Sequence, residues 1–159
     1  MMNLRKGFMI LALAIFATTG CVKNDGGCKP QDPSIEDAAM LKFIDSIGMN
    51  ATKLNKGMYY EILNQGSASH PKQESIIYCT YRGTLLNGTE FDSQSNPGQT
   101  GFQLNGLIEA WKIAVPYIGK GGRIRMVVPS SLGYGCKGGG TTIPPNTPLF
   151  FDLTLVDFF

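Results

Sequence analysis

His70, followed directly by Pro71, is the only histidine in the chain. With that one imidazole in a turn-like stretch, neither a His-based zinc centre nor a Ser-His-Asp triad is expected. Of the four cysteines, Cys79 falls within a strand pattern and reads as a small core residue. Cys28 and Cys136 could bridge an N-terminal segment to a loop if the compartment is oxidising. The Cα separation such a bridge needs is not written in the sequence. The glycine-rich run that starts at Gly138 lacks the strand–turn–helix setting of a phosphate-binding loop. The remaining candidates are rings and one carboxylate. Tyr81, Phe91, Trp111 and Phe151 each read singly as core, Asp92 as a turn cap, and the Pro144-Pro145 pair as a loop stiffener.

Cys21 invites a different chemistry. Residues 1–6 are short and positive, 7–17 are an almost unbroken apolar run, and Thr18, Thr19 and Gly20 precede the cysteine. This is the layout of a secretory leader, and its apolar run falls short of the roughly 20 residues that span a bilayer. A cysteine after Gly20 resembles the bacterial lipobox, with Thr18 where an aliphatic residue is usual. The expectation is a leader over 1–20, lipid on Cys21, and a flexible tether over 21–33 rich in glycine and proline. The protein would then sit in the cell envelope, held to a membrane by that lipid, on the outer-membrane or periplasmic side. Of the +2 formal charge, Arg5 and Lys6 account for all, leaving twelve basic against twelve acidic side chains. A nucleic-acid partner is not expected from that balance.

The elements that must position these residues follow from periodicity. The spacing predicts a helix over 34–47, capped by Ser34, with Ile35, Ala38, Ala39, Leu41, Phe43, Ile44 and Ile47 supplying a buried face. It belongs to a helical extension over 34–55, either packed on the main domain or serving as a dimerisation arm. From residue 56 the pattern is β. Strands are predicted over 58–63, 75–82, 123–128 and 149–158, with an Asn87-Gly88 hairpin turn and a short helix over 106–115 ending near Pro116. In the third of these strands Ile124, Met126 and Val128 point inward, and in the last Phe151, Leu153 and Leu155 share one side. The fold class is α+β, a small antiparallel sheet with one short helix.

Taken in order, the second half resembles the FKBP-type peptidyl-prolyl cis/trans isomerases. The fragments that carry the likeness are Tyr81-Arg82-Gly83-Thr84-Leu85, Asn87-Gly88-Thr89-Glu90-Phe91-Asp92-Ser93, Phe102-Gln103-Leu104 and Leu107-Ile108-Glu109-Ala110-Trp111. They continue with the turn at 119–123, Val128-Pro129-Ser130-Ser131-Leu132-Gly133-Tyr134-Gly135, Ile143-Pro144-Pro145-Asn146-Thr147 and Leu149-Phe150-Phe151-Asp152. Each fragment is a weak signal; their order and spacing together are a strong one. The likeness implies a twisted antiparallel sheet wrapped around the short helix of Trp111 and an isomerase domain over 56–159. A monomer is the expected state, although the sequence itself does not fix it.

It also implies an apolar cup. Trp111 is its floor, and Tyr81, Phe91, Leu107, Ile108, Ile143 and Phe151 are its walls. The Tyr134 hydroxyl and the Ile108 N–H are donors to a bound carbonyl, and Asp92 is held at the edge by Tyr81 or Arg82. The implied substrates are proline-containing polypeptides, with no cofactor and no metal, since no bond is broken. Three positions depart from the pattern: Thr100 stands where many relatives have an aromatic residue, Gly139 where some have histidine, and Thr142 where an apolar residue is frequent. Those departures leave open a second reading, a proline-segment binding module or holdase without useful catalysis.

Overall fold

A ten-residue strand of alternating character, β3 (Ile76–Leu85), organises the sheet. The computed structural model describes residues 27–98 and 101–159. The leader, the Cys21 lipid site, the first part of the tether and Thr100 therefore lie outside the described residues. Around β3 run β1 (Thr52–Lys53), β2 (Tyr59–Asn64), β4 (Glu90–Gln94), β5 (Phe102–Gln103), β6 (Arg123–Val128) and β7 (Leu149–Phe158). The spatial order is β1-β2-β6-β7-β3-β4, with β5 pairing separately on β3, and every pairing is antiparallel. Asn87-Gly88 makes the tight link from β3 to β4, where Gly88 takes a φ of 88° that a side chain would resist.

The short helix α2 (Glu109–Ala114) lies against one face of the sheet and buries Ala110, Trp111 and Ala114. It starts later than the expected 106–115, because residues 104–106 form a separate 3-10 turn, and a second such turn at Val115–Tyr117 carries Pro116. Ile77, Cys79, Ile124, Met126, Val128, Phe151, Leu153 and Leu155 meet α2 in one core. The inward positions read from the alternation of β6 and β7 are thus the core positions.

A second, smaller core lies on the other face. Helix α1 (Pro33–Ser46) packs Met40 and Ile44 against Met49, Tyr59 and Val127, and Phe43 meets Phe150 at 5.2 Å. An isolated helix of this length is marginal in water, so this packing decides its stability. Two details differ from the sequence expectation. The cap is Asp32, whose carboxylate accepts from the Ser34 N–H at 2.9 Å, rather than Ser34 itself. The buried face runs through Glu36, Met40 and Ile44, whereas Ile35, Leu41 and Ile47 are exposed. A carboxylate sits in that buried stripe because Ser130, far along the chain, donates to it. Asp37, one residue on, accepts from Lys53 at 2.8 Å and from the Tyr59 hydroxyl at 2.7 Å, which bolts α1 to β1 and β2. At the described end of the expected tether, Cys28 is bonded to Cys136 across a Cα separation of 5.4 Å.

Candidate active site

Trp111 projects from α2 into a ring cluster supplied by four strands. The Tyr81 ring from β3 meets the indole edge-on at 5.0 Å, and Phe151 from β7 does so at 5.5 Å. Phe91 from β4 packs on Phe151 at 5.5 Å, and Phe102 from β5 meets Tyr81 at 6.3 Å. Edge-to-face contacts at these separations are favourable and fix ring orientation, which makes the walls rigid. Gly83, in the middle of β3, permits the arrangement: a Cβ there would come within 2.7 Å of Phe91 and 3.0 Å of Phe151. Glycine inside a strand marks such a close approach.

The rings enclose a hollow of about 150 Å³, lined by Tyr81, Asp92, Phe102, Leu107, Ile108, Trp111, Tyr134 and Phe151. An apolar space of about that size holds one small ring such as benzene. Beside it lies a wider depression of about 250 Å³, which shares Asp92 and Tyr134 and is otherwise lined by Phe91, Gly139, Gly140, Thr142 and Ile143. Of the nine residues expected at the site, seven line the hollow itself. Phe91 and Ile143 line the neighbouring depression, and Phe91 supports the hollow from behind Phe151.

Phe102 and Gly83 belong to the site and were not assigned a part in it by sequence. Phe102 stood in a matching fragment, but nothing in its own neighbourhood tells a wall from core. Gly83 carried a readable signal, a glycine interrupting an Ile/Tyr-rich strand.

Polar groups around the hollow are few. The Tyr81 hydroxyl donates to Asp92 Oδ2 at 2.7 Å, while Arg82 pairs with Glu90 at 2.7 Å, so Tyr81 rather than Arg82 holds Asp92. Burial, with the Asp92 carboxylate beside it, pushes the Tyr81 phenol far above its ordinary value. Burial and then Asp92 push the Tyr134 phenol up as well. Both rings therefore keep their protons, and Tyr134, whose hydroxyl makes no hydrogen bond among the described residues, is a free donor at the rim. The Ile108 N–H, just ahead of α2, likewise donates to nothing among the described residues. The Trp111 indole N–H is buried with no acceptor there. Chemically this is a largely apolar slot with rigid walls and unspent donors, suited to hold a small apolar ring and an adjacent carbonyl.

The profile of the FKBP-type peptidyl-prolyl cis-trans isomerases matches residues 67–156, more than half of the chain and every residue lining the hollow. The chain belongs to that family. The FKBP-type peptidyl-prolyl cis-trans isomerase FkpA of Escherichia coli K12 is 37% identical over 117 residues, covering 73% of this chain and 42% of that protein. A probable FKBP-type isomerase of Haemophilus influenzae is 36% identical over 111 residues, 69% of this chain and 46% of that one. The chain thus spans less than half the length of these curated relatives. Among solved structures, the crystal structure of Escherichia coli FkpA superposes with a TM-score of 0.68 at 32% identity, covering 80% of this chain and 61% of that one. A peptidyl-prolyl cis-trans isomerase from Pseudomonas syringae pv. tomato gives 0.66 at 26% identity, over 82% and 98%. The antiparallel sheet around a short helix is therefore the FKBP fold, and β1, β2 and α1 precede the residues matched to the family.

Proposed function

We propose that this chain is a peptidyl-prolyl cis/trans isomerase that speeds X–Pro rotation in exported polypeptides. The observation that carries the proposal is the ring-lined hollow, sized for one small ring, with free donors from Tyr134 and Ile108 at its edge. Rotation about an X–Pro bond crosses a barrier of about 18–20 kcal/mol because amide resonance is lost on the way, and uncatalysed it takes tens to hundreds of seconds. Seating the proline ring on Trp111 between Tyr81, Phe102 and Phe151 removes water from the amide. Planar, charge-separated resonance forms depend on that water and lose stability. The Tyr134 hydroxyl and the Ile108 N–H then meet a carbonyl that has swung out of plane. Each 1.4 kcal/mol or so by which the twisted form is preferred over both planar forms is worth about tenfold in rate. Asp92, fixed by Tyr81, sets the electrostatic edge of the slot. Phe91, Leu107 and Ile143 complete the apolar surface on which residues next to the proline lie.

Turnover of a short X–Pro peptide by the full chain tests this: a rate equal to the uncatalysed one would remove the enzyme reading. Tyr134→Phe should lower kcat/KM about tenfold, the order of one lost transition-state hydrogen bond. Trp111→Ala should abolish turnover and cost about 3–5 kcal/mol of stability, read by urea denaturation. The open depression beside the hollow supports a second reading, capture of unfolded proline-rich segments without catalysis. Suppression of client aggregation with no change in X–Pro rate would favour it.

The Cys28–Cys136 bond supports an oxidising compartment and hence export to the cell envelope. Membrane attachment through lipid on Cys21 is part of the same proposal, drawn from the leader-like residues 1–20. Cys21→Ser should move the protein from the membrane to the soluble fraction. The hollow is complete within one chain, in keeping with a monomer.

A further inference from the structure

Two attachments run from the N-terminal segment to the loop that carries Tyr134, and both start outside residues 67–156. Glu36, in the first turn of α1 and 5% exposed, accepts from the Ser130 N–H at 2.7 Å and from the Ser130 hydroxyl. Ser130 opens the 3-10 turn Ser130–Leu132. Cys28 is bonded to Cys136 in the 3-10 turn Gly135–Lys137. Tyr134 lies between the two attachment points. Its immediate neighbours are Gly133 and Gly135, the latter at a φ of 58°, so the backbone on either side has no side chain to stiffen it.

The attachment is rigid at its far end. Met40, Ile44 and the bond from Tyr59 to Asp37 lock α1 to the sheet. Glu36 has no ion-pair partner among the described residues, and its carboxylate is directed wholly at Ser130. An apolar residue would have filled the same space in the Met40–Ile44 stripe. A buried carboxylate is costly unless donors meet it, so its presence there is explained by holding the Ser130 backbone in place.

We infer that Cys28 and Glu36 are positioning residues, a two-point splint that holds the Tyr134 hydroxyl over the hollow and makes turnover sensitive to a dithiol reductant. This rests on the isomerase reading of the hollow. Reduction delivers two electrons to the Cys28–Cys136 bond. The sulfur–sulfur bond breaks, each sulfur takes up one proton, and the dithiol closes to its own disulfide. Freed at Cys136, the loop loses its second tie to the N-terminal segment and keeps on that side of Tyr134 only backbone bonds within the domain, from the Asn146 N–H to the Gly135 carbonyl at 2.9 Å and between Gly139 and Ile143.

The test compares kcat and KM on an X–Pro peptide in the full chain. Glu36→Ala should lower kcat about tenfold with KM within about twofold, as expected for a misplaced catalytic group. Glu36→Gln, which keeps an acceptor for Ser130, should recover most of that loss. Cys28→Ser combined with Cys136→Ser should lower kcat about threefold, and dithiothreitol should bring the wild type to the same value while leaving the double variant unchanged. In a Tyr134→Phe background all these effects should vanish, because the splint acts through that hydroxyl. Equal losses with and without the hydroxyl, or an unchanged kcat in the folded variants, would overturn the inference. Should Glu36→Ala not fold, Glu36→Gln and the cysteine double variant carry the comparison. A wild type that turns over no X–Pro peptide would sink the isomerase reading, and backbone amide exchange would then decide the splint alone. Exchange at residues 131–137 should quicken about tenfold in the double variant with the β-sheet unchanged; protection equal to that of the wild type would overturn the splint.

Discussion

Asp92 shows how sparingly charge is used at the hollow. Its partner is a neutral phenol, Tyr81, at 2.7 Å, while the nearby Arg82 is committed to Glu90. Burial lifts the Tyr81 and Tyr134 phenols above the value near 10 that they have in the unfolded chain. The folded state therefore binds more protons than the unfolded state once the pH exceeds about 10, and stability falls with pH there. The contribution is fully present below pH 10 and is lost as the pH rises through the raised values. Urea midpoints should accordingly hold steady for these groups up to about pH 10 and decline above it, with a shallower decline in Tyr81→Phe. A decline equally steep in Tyr81→Phe would count against the assignment. Neither phenol should add an ionisation to the kcat/KM profile below pH 10.

Among the elements, α1 separates what the sequence disclosed from what it withheld. Strand β6 was legible because alternation is strict on a half-buried strand: Ile124, Met126 and Val128 are all buried. Val127 is buried too, since α1 covers the opposite face, and alternation alone cannot reveal a helix arriving from elsewhere. For the same reason the buried stripe of α1 was misread. Ile35 and Leu41 look like core residues and face solvent, whereas Glu36 looks like surface and is buried against Ser130. Most wall residues were legible from matching fragments, but Phe102 was not, because its role comes only from the pairing of β5 on β3. Met40→Ala should cost about 2–5 kcal/mol, a core-to-cavity change, whereas Leu41→Ala should stay within about 0.5 kcal/mol. Chemical denaturation of both variants checks the assignment of faces. Similar costs would mean that the stripe is wrong.

At the scale of the whole molecule, the Cys28–Cys136 bond closes a loop of 108 residues and spans nearly every element described. In the chain-entropy view a closure of that size constrains the unfolded chain by roughly 4–5 kcal/mol, with native disulfides commonly delivering about 2–4. Reduction should therefore lower the urea-derived stability by about 2–4 kcal/mol. In the native protein Cys79 stays out of this exchange, because burial pushes its thiol up to about 12 and leaves it unreactive there. An unchanged midpoint after full reduction would show that the bond constrains little.

The placement of β7 has a consequence for how the protein is made. That strand lies between β6 and β3 and carries Phe151, yet it is the latest-synthesised of the seven. A chain synthesised as far as Pro148 holds the strands of two separate sheet fragments, β1-β2-β6 and β3-β4, and no strand to join them. The nascent polypeptide stays threadable until Phe158 emerges, and only then can the two halves zip together in one late step.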